Sequence, residues 1–398
     1  MDLLVKNGVL CDANGRLRAD LYIRDGLIEA VGRELAVPAG CPVLDAGGKT
    51  VLPAFVDLHC HFRDPGYTQK EDIATGSQAA AAGGYTAVNC MANTDPVCSS
   101  MEGVRYAVER ARAVGLVDLH QCVSVTEHFD GETTEHLKTL TDEVRCISED
   151  GRGVARAAVM ERAMRIAQEK GMAVLSHAEE MEISPYDYRL AENLATVRDI
   201  ALAAHTGAHL HLCHVSTREA MAAIAAAKGA GVWVTCEVAP HHLYFKDSGY
   251  RVNPPIRQGA DVEALIQACL KGEVDAIATD HAPHTEADKA AGSPGMVGLE
   301  TAFSVCHTVL CRENGLPLEA LSRMMSQAPA QLLGMNKGLL RPGFDGDLAL
   351  VDEAAHYRVK AAKLHSKSKN TPFDGKTFTG RVECTVKAGR ITYTRDGE

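Results

Sequence analysis

Residues 56–66 read VDLHCHFRDPG. Side chains of a β-strand alternate between its two faces. As a strand, this stretch therefore carries Asp57, His59, His61 and Arg63 on one face and apolar side chains on the other. The apolar face indicates core, whereas the polar face calls for a function that needs an acid, two imidazoles and a guanidinium together.

This stretch lies in the first of eight short apolar runs, which end in polar residues and alternate with helical segments rich in Ala, Glu, Arg and Met. Eight parallel strands close a (β/α) barrel, and its strands look continuously apolar because they are buried on both sides. The sequence therefore predicts an α/β fold with a TIM-type (β/α)8 barrel. The runs are VLPAFVDLHCH, YTAVNCMANT, LVDLHQCVSV, VRCISEDG, MAVLSHAEE, AHLHLCHVS, VWVTCEVAPHH and VDAIATDHAPH.

Both ends of the chain have a different, β-rich pattern. The first 50 residues contain LLVKNGVL and ADLYIRDGLIEAVG, whose Asn-Gly and Asp-Gly pairs favour hairpin turns. The pattern returns near the C-terminus in GDLALVD, RVECTVKAG and RITYTRD. We expect residues 1–50 and 339–398 to form one small β-sandwich domain beside a barrel of residues 51–338.

The composition is that of a globular protein, with 398 residues of which 46% are hydrophobic and 23% charged. A net charge of −11 without Lys/Arg runs argues against a nucleic-acid or membrane partner, because those surfaces select clustered cations. Thirteen cysteines without C-x-x-C spacing fit reduced thiols in the cytosol. No signal peptide or membrane-spanning run stands out, so we expect a cytoplasmic protein.

The polar ends of the runs hold the candidates for chemistry, because catalytic groups of a (β/α) barrel lie at the carboxyl ends of its strands. His59 and His61 can reach one metal ion such as Zn²⁺, although either alone could be a core histidine. The same alternation points His177 and His214 into the barrel. The two earlier histidines of HLHLCH, at 209 and 211, face the opposite way from His214, and we interpret them as structural.

Three acidic residues also end these runs. A lone carboxylate at Asp280 would be costly to ionise inside a barrel, so it needs a metal or a cation. Beside a metal it can be a ligand and carry a proton to or from a metal-bound water, whereas the alternative is a helix cap or a loop-bonding aspartate. Glu149 and Asp150 alternate in facing, so at most one should point inward easily, and either could instead be a turn residue.

The summed charge favours an anionic substrate if two metal ions are present. Four imidazoles, two carboxylates and a hydroxide around two divalent ions leave about +1, whereas one ion would leave the site neutral or negative. The sequence leaves the number of ions open. Residues suited to carboxylate or amide recognition at the same rim are Arg63, Asn93, Asn253 and His284.

Together these motifs resemble the amidohydrolase superfamily and, more narrowly, the type I dihydroorotases. The matching segments follow the family order from residue 50 to the C-terminus and cover most of the chain. They are DLHCHFRDPG, KEDIATGSQAAAAGGYTAVNCMANTDP, SEDG, LHLCHVST, EVAPHHL, RVNPPIR, DAIATDHAPHT, GMVGLETA, RPGFDGDLALVD and SKSKNTPFDGKTFTGRV.

The resemblance implies one or two Zn²⁺ ions, with two favoured, and Asp280 as the proton shuttle. The implied ligands are His59, His61 and Asp280 for one ion, His177 and His214 for the other, and Asp150 between them. Related hydantoinases and allantoinases bridge the metals with a carbamylated lysine, whereas EVRCISEDG has none. The implied substrate contacts are His61, Phe62, Arg63, Asn93, Asn253, His284, Pro294 and Gly295.

Three departures from the family pattern stand out. The family's MPNT reads MANT, so a loop proline is lost while Asn93 remains. The family's PFG aligns with Ser293-Pro294-Gly295-Met296, which weakens the expectation for Pro294 but leaves room for a backbone contact. The segment after His177 is shorter than in typical members.

The implied activity is that of a zinc-dependent dihydroorotase, which reversibly cyclises N-carbamoyl-L-aspartate to L-dihydroorotate in de novo pyrimidine (UMP) synthesis. A metal-bound hydroxide would attack the ring carbonyl, and Asp280 would carry the proton.

One alternative is an allantoinase or hydantoinase, against which the missing lysine and Arg63 argue. Another is a non-catalytic scaffold for aspartate transcarbamoylase, which we would expect to have lost metal ligands. We also expect a homodimer and leave association with aspartate transcarbamoylase open.

Overall fold

The computed structural model describes residues 1–395, except for the side chain of residue 357. Eight parallel strands form its centre, and each lies within one of the eight predicted apolar runs. They are β6 (Phe55–Cys60), β7 (Tyr85–Cys90), β8 (Asp118–Gln121), β9 (Cys146–Ser148), β10 (Ala173–Ser176), β11 (His209–Leu212), β12 (Val234–Val238) and β13 (Ala276–Ile277).

Helices follow most of these strands. They are α1 (Ile73–Ala82), α2 (Met101–Val114), α3 (Ala157–Lys170), α4 (Tyr188–Thr206), α5 (Arg218–Gly229), α6 (Pro240–Tyr244), α7 (Gly259–Lys271), α8 (Glu286–Ala290), α9 (Ala302–Cys306), α10 (Leu318–Ser322) and α11 (Ala328–Leu332). Short 3₁₀ segments cover Glu127–Phe129, Glu135–Thr139 and Ala361–Lys363, and π-helical turns cover His307–Glu313 and Arg323–Gln327.

The parallel strands follow barrel order in two sheets, β6-β7-β8 and β9-β10-β11-β12-β13. Single parallel bridges join the sheets at both seams, between Val123 and Ile147 and between Cys60 and His281. The backbone N–H of His61 also donates to the carbonyl of His281 at 2.9 Å. The fold is thus the predicted TIM-type arrangement, although its ladder is interrupted at these two seams.

Strands from both ends of the chain form a separate sheet of eight strands beside the two barrel sheets. Its order is β16-β15-β14-β5-β1-β2-β3, with β4 paired to β1. Strands near the two ends of this order share one apolar core, which includes Leu21, Ile28, Leu348 and Val386. The predicted β unit built from both ends of the chain is therefore confirmed. The strands are β1 (Leu3–Asp12), β2 (Gly15–Arg24), β3 (Leu27–Gly32), β4 (Val43–Asp45), β5 (Thr50–Pro53), β14 (Leu348–Arg358), β15 (Thr377–Lys387) and β16 (Arg390–Thr394).

The first apolar run serves two sheets rather than one. Residues 50–53 pair with β1 and β14, and the barrel strand begins at Phe55. Residues 51–53, which the sequence pattern assigns to the barrel, therefore lie in the terminal sheet. The sequence does not mark this change because every residue from Thr50 to Cys60 is buried.

Of the two predicted turn dipeptides, only one forms a hairpin turn. Asp25 and Gly26 connect β2 to β3, as expected. Asn7 and Gly8 instead lie within β1, at an irregularity in its pairing with β2. The backbone of Asn7 has a φ of 58°, and an Asn-Gly pair suits such a bulge as well as a turn.

The C-terminal part of the chain also reaches the mouth of the barrel. The hydroxyl of Ser366 donates to Glu71, and the side-chain oxygen of Asn370 accepts from the backbone N–H of His284 at 3.0 Å. Residues 364–371 thus contribute to the rim of the barrel. Among residues 1–395, no helix combines the length and the apolar character needed to cross a membrane.

Candidate functional site

Six predicted metal-ligating side chains meet at the carboxyl ends of the parallel strands. Each is at most 6% exposed. Such burial of imidazoles and carboxylates is costly unless they pair with each other or hold a metal. His59 lies in β6 and His61 just after it, and the others follow their strands within three residues: Asp150, His177, His214 and Asp280.

Asp150 lies between the two histidine pairs. Its Oδ1 is 3.2 Å from Nε2 of His59 and 3.4 Å from Nδ1 of His177. The same atom is 3.7 Å from Nε2 of His214, and Oδ2 is 3.5 Å from Nε2 of His61. One carboxylate therefore faces all four imidazoles.

The remaining distances divide the site into two halves. Oδ1 of Asp280 is 3.3 Å from Nε2 of His61 and 3.6 Å from Nε2 of His59. In the other half, Nδ1 of His177 is 2.9 Å from Nε2 of His214. Asp280 thus belongs with the first histidine pair, which is the grouping that the family resemblance implies.

Glu149 faces away from this cluster. Its carboxylate accepts from the backbone N–H of Thr126 at 2.9 Å and from the hydroxyl of the same residue. Of the two adjacent acids, only Asp150 is directed towards the histidines, in agreement with the alternation expected along the fourth strand.

The donor set fits divalent metal ions. Ligand atoms of His59, His61 and Asp150 lie within 4.8 Å of one another, and so do those of Asp150, His177 and His214. Although Nε2 of His59 is buried and close to two carboxylates, it makes no hydrogen bond. Imidazole and carboxylate are the ligands that zinc accepts at catalytic sites, so the residues present could hold one ion in each half.

The carboxylates and imidazoles of the cluster shift each other's pKa values. Burial opposes ionisation of Asp150, but the neighbouring His59, His177 and His214 outweigh it and hold the pKa of this carboxyl well below its usual value. Burial likewise opposes protonation of His177, but Asp150 and Glu179 raise its pKa to about 9. The carboxylates are therefore ionised and can compensate positive charge brought into the site.

Backbone strain also occurs at the site, although most of the positive-φ non-glycine residues among residues 1–395 lie elsewhere. Arg63, His214 and Asp280 have φ values of 59°, 34° and 46°. A non-glycine residue with positive φ costs free energy, and such residues cluster at functional sites. The strands thus position these side chains through sharp left-handed turns at their ends.

Two glutamates orient the histidines and were not among the predicted site residues. Oε1 of Glu237 is 2.9 Å from Nδ1 of His59, and Oε2 of Glu179 is 2.7 Å from Nε2 of His177. A carboxylate on the far nitrogen fixes the tautomer of a metal-binding imidazole. The sequence held one signal for Glu237, which is a lone acid within the apolar run VWVTCEVAPHH.

Asp57, the acid on the polar face of the first strand, contacts Thr279 rather than an imidazole ring. Its carboxylate accepts from the backbone N–H of Thr279 at 2.8 Å and from the hydroxyl of Thr279 at 2.5 Å. Burial raises the pKa of Asp57 to about 7, against the opposing effect of these hydrogen bonds. Asp57 therefore joins β6 to the end of β13 below the site.

Two predicted substrate-binding amides are engaged with the cluster itself. Asn93 accepts from Nδ1 of His61 at 2.9 Å and donates to Oδ2 of Asp150 at 3.1 Å. Asn253 donates to Oε2 of Glu179 at 2.9 Å. Asn93 thus contacts two predicted metal ligands and Asn253 contacts the glutamate that orients a third, so the role of both amides towards a substrate stays a prediction.

The other predicted substrate residues, apart from Phe62, lie around the rim. Arg63 approaches His284, with 3.3 Å between its guanidinium and Nε2 of the imidazole. Gly295 lies beside His284, whereas Pro294 is exposed. The ring of Phe62 packs in the core against Gly76, which leaves only its backbone for a substrate.

A cavity of about 550 Å³ begins at His284 and is lined by Asn370 and by lysines 289, 367 and 369. The C-terminal segment thus supplies Asn370 and two of the three lysines in the wall of this cavity.

Comparisons with known sequences give matches along nearly the whole chain. The amidohydrolase family matches residues 50–392. The dihydroorotase of Clostridium botulinum (strain Eklund 17B / Type B) is 49% identical over 399 residues, which cover 99% of this chain and all of the relative. The dihydroorotase of Citrifermentans bemidjiense is 39% identical over 424 residues, with the same coverage.

Solved structures show the same fold. L-hydantoinase from Arthrobacter aurescens superposes with a TM-score of 0.90 and 25% identity, covering 100% of this chain and 97% of that one. Dihydropyrimidinase from Brevibacillus agri NCHU1002 gives a TM-score of 0.91 at 24% identity and covers 99% and 95% of the two chains. The chain belongs to the amidohydrolase family and, within it, to the dihydroorotases.

Proposed function

We propose that the chain catalyses the reversible cyclisation of N-carbamoyl-L-aspartate to L-dihydroorotate, a step of de novo pyrimidine synthesis. The observation that carries this proposal is the position of Asp150, which faces both histidine pairs where hydantoinases and allantoinases have a carbamylated lysine. Full-length identity of 49% to a dihydroorotase supports the same activity.

The proposed metal ligands are His59, His61 and Asp280 for one ion, His177 and His214 for a second, and Asp150 for both. We propose Zn²⁺, in one or two copies with two favoured. Zinc would supply Lewis acidity and lower the pKa of water towards neutrality. Glu237 and Glu179 would hold His59 and His177 in the tautomers that leave Nε2 and Nδ1, respectively, free for an ion.

Asp280 is the proposed proton carrier. Its Oδ1 lies beside His61, and the surrounding imidazoles outweigh its burial and hold its pKa below the usual value. As the ring C–N bond opens, the carbonyl carbon gains the oxygen of water. Asp280 takes the proton from that water and delivers it to the leaving nitrogen.

Arg63 is the proposed partner of the substrate carboxylate, together with His284, Asn93 and Asn253. A guanidinium binds a carboxylate through charge-assisted hydrogen bonds, which also fix which carbonyl of the ring faces the metal site. Main-chain groups of Phe62, Pro294 and Gly295 would complete the contacts.

A substrate comparison on one metal-analysed sample tests the proposal. We expect L-dihydroorotate to be opened with a kcat/KM at least about tenfold above that for allantoin or hydantoin, because each missing carboxylate contact costs about 1.4 kcal/mol or more. A preference for allantoin or hydantoin would contradict the proposed substrate. No turnover with less than one metal ion per chain would favour the non-catalytic scaffold for aspartate transcarbamoylase.

We also propose that the protein is a cytoplasmic homodimer. Leu190, Leu194 and Val197 form an apolar stripe on α4 and are 44–57% exposed, and Tyr186 before the helix is 89% exposed. An apolar patch of this kind is typical of a protein contact. All thirteen cysteines are free thiols, which fits a reducing compartment. Sedimentation of the chain, alone and with aspartate transcarbamoylase, tests both assemblies.

A further inference from the structure

A second cavity lies at the opposite end of the barrel. It has a volume of about 480 Å³, which is within the range of small-molecule sites. Its wall includes Ala173, His209 and Ala276, the first residues of β10, β11 and β13. The cavity therefore opens at the amino ends of the strands, and the proposed reaction does not use it.

The charge of this cavity is positive. Arg145 and Arg323 both line it, and neither makes an ion pair with any residue in the described part of the chain. The described side-chain contact of Arg323 is with the carbonyl of Val274 at 3.3 Å. The carboxylate in the wall, Asp275, is already bound by Lys228. Two guanidinium groups thus remain available to an anion.

One wall of the cavity is flat and aromatic. The indole of Trp233 stacks on the imidazole of His209 with ring centres 4.7 Å apart and an angle of 2° between the planes. Burial lowers the pKa of His209 to about 4, so the ring is uncharged at neutral pH. Trp233 is nevertheless 61% exposed, so much of the surface of its indole is open to a ligand.

A row of hydrogen bonds links this wall to the metal-binding cluster. The hydroxyl of Thr235 is 2.8 Å from Nε2 of His209 and 2.9 Å from Nδ1 of His211. Nε2 of His211 is 3.1 Å from Glu237, which in turn contacts His59 at 2.9 Å. The histidines at 209 and 211 thus connect the cavity with the other end of the barrel.

We infer that this cavity is a second binding site, for a small organic anion that carries a phosphate or carboxylate next to a flat ring. Arg145 and Arg323 hold the oxyanion, because a guanidinium forms bidentate hydrogen bonds with either group. Trp233 contacts the ring by stacking. This inference does not depend on the reaction at the metal site.

The chain contains a single tryptophan, so its fluorescence reports on this wall alone. The full-length protein is titrated at constant ionic strength with cytidine monophosphate, benzoate and inorganic phosphate. We expect a saturable change in Trp233 fluorescence with the first two. We expect phosphate to bind at least about tenfold more weakly because it lacks a ring to stack.

Three substitutions identify the site of binding. Arg145→Gln and Arg323→Gln should each weaken the fluorescence titration by about tenfold or more. Arg105→Gln, on the exposed surface of α2, is the matched control and should have no effect. Arg63→Gln, at the proposed catalytic site, should also leave this titration unchanged.

Two results would overturn the inference. The first is the absence of a saturable change with either ring-bearing anion while circular dichroism shows a folded protein. The second is equal binding by wild type, Arg145→Gln and Arg323→Gln. Loss of the titration in Arg63→Gln would assign the anion to the catalytic end and would likewise reject a second site.

Discussion

Asp150 is the carboxylate around which the four imidazoles of the site are arranged. It is 4% exposed, faces four imidazoles and accepts from Asn93. A buried carboxylate in such surroundings stays ionised because cationic or polarised donors compensate its lost hydration. In the proposed metal site, Asp150 would take the place that a carbamylated lysine has in hydantoinases, without a longer side chain or a modification.

Asp280 is the residue whose removal should affect the chemistry most directly. We expect Asp280→Ala to lower kcat by roughly 10²- to 10⁴-fold or more, the usual contribution of a general acid–base group, with an unchanged circular dichroism spectrum. Asp142→Ala, an exposed aspartate outside the site, is the control. Wild-type turnover in Asp280→Ala would refute the proposed role.

Glu237 should act on metal affinity rather than on the reacting atoms. In Glu237→Gln the charge that fixes Nδ1 of His59 is lost while the shape is kept. We expect the metal to bind about 10- to 100-fold more weakly, measured by competition with a chromogenic chelator. The surface variant Glu169→Gln should match wild type, and unchanged affinity in Glu237→Gln would show that the contact is only structural.

At the scale of elements, the site depends on how closely α1 packs against the end of β6. Asp72 caps this helix by accepting from the backbone N–H of Thr75 at 2.8 Å. The absence of a side chain at Gly76 leaves room for the ring of Phe62. This packing sets the path of the chain between His61 and Arg63.

A methyl group at Gly76 should disturb that packing. A Cβ there would be 2.5 Å from Cδ1 of Phe62, so we expect Gly76→Ala to destabilise the protein by about 1–3 kcal/mol through overpacking. Urea unfolding measures the change. Gly229→Ala, where a Cβ would meet nothing within 4 Å, is the control and should be neutral or slightly stabilising. Equal stability of the two variants would contradict this account.

At the scale of the molecule, Lys337 joins the barrel to the terminal sheet. It is 6% exposed, and its ammonium contacts Asp118 of β8 at 2.9 Å. The same ammonium contacts Asp345 at 3.0 Å and Asp347 at 2.5 Å, next to β14. One cation thus compensates three carboxylates from both parts of the chain.

Replacing Lys337 should weaken this junction in a pH-dependent way. Burial raises the pKa of Asp118, but Lys337 and Lys387 outweigh it and hold the pKa below its usual value. Its stabilising contribution is therefore full above the ordinary aspartate pKa of about 4 and is lost as the pH falls through the lower value of the folded state.

We expect Lys337→Met to lose about 3–5 kcal/mol near neutral pH and less at about pH 3, below the ordinary aspartate pKa, where part of the contribution of Asp118 is already lost. Urea unfolding at both pH values tests this, with Lys138→Met at an exposed ion pair as the control. An equal loss at both pH values would show that packing, rather than charge, makes the contribution.

The sequence by itself determined the parallel strands, and the family resemblance added the full set of six side chains that the structure brings together. Buried parallel strands are continuously apolar, and alternation along a strand decides which side chains share a face. These local rules placed His59 and His177 correctly relative to their strands, whereas the choice of Asp150 over Glu149 needed the family pattern as well.

Only the tertiary structure decided the features that depend on contacts between distant parts of the chain. The division of the first apolar run at Ala54 depends on which strands pair with it. Glu237 reaches His59 across 178 positions, and Asn370 reaches His284 across 86. The cavity at Trp233 likewise forms only when several strand ends meet. Such contacts leave no periodic signal, because burial and alternation describe each segment separately, whereas pairing is a property of the assembled molecule.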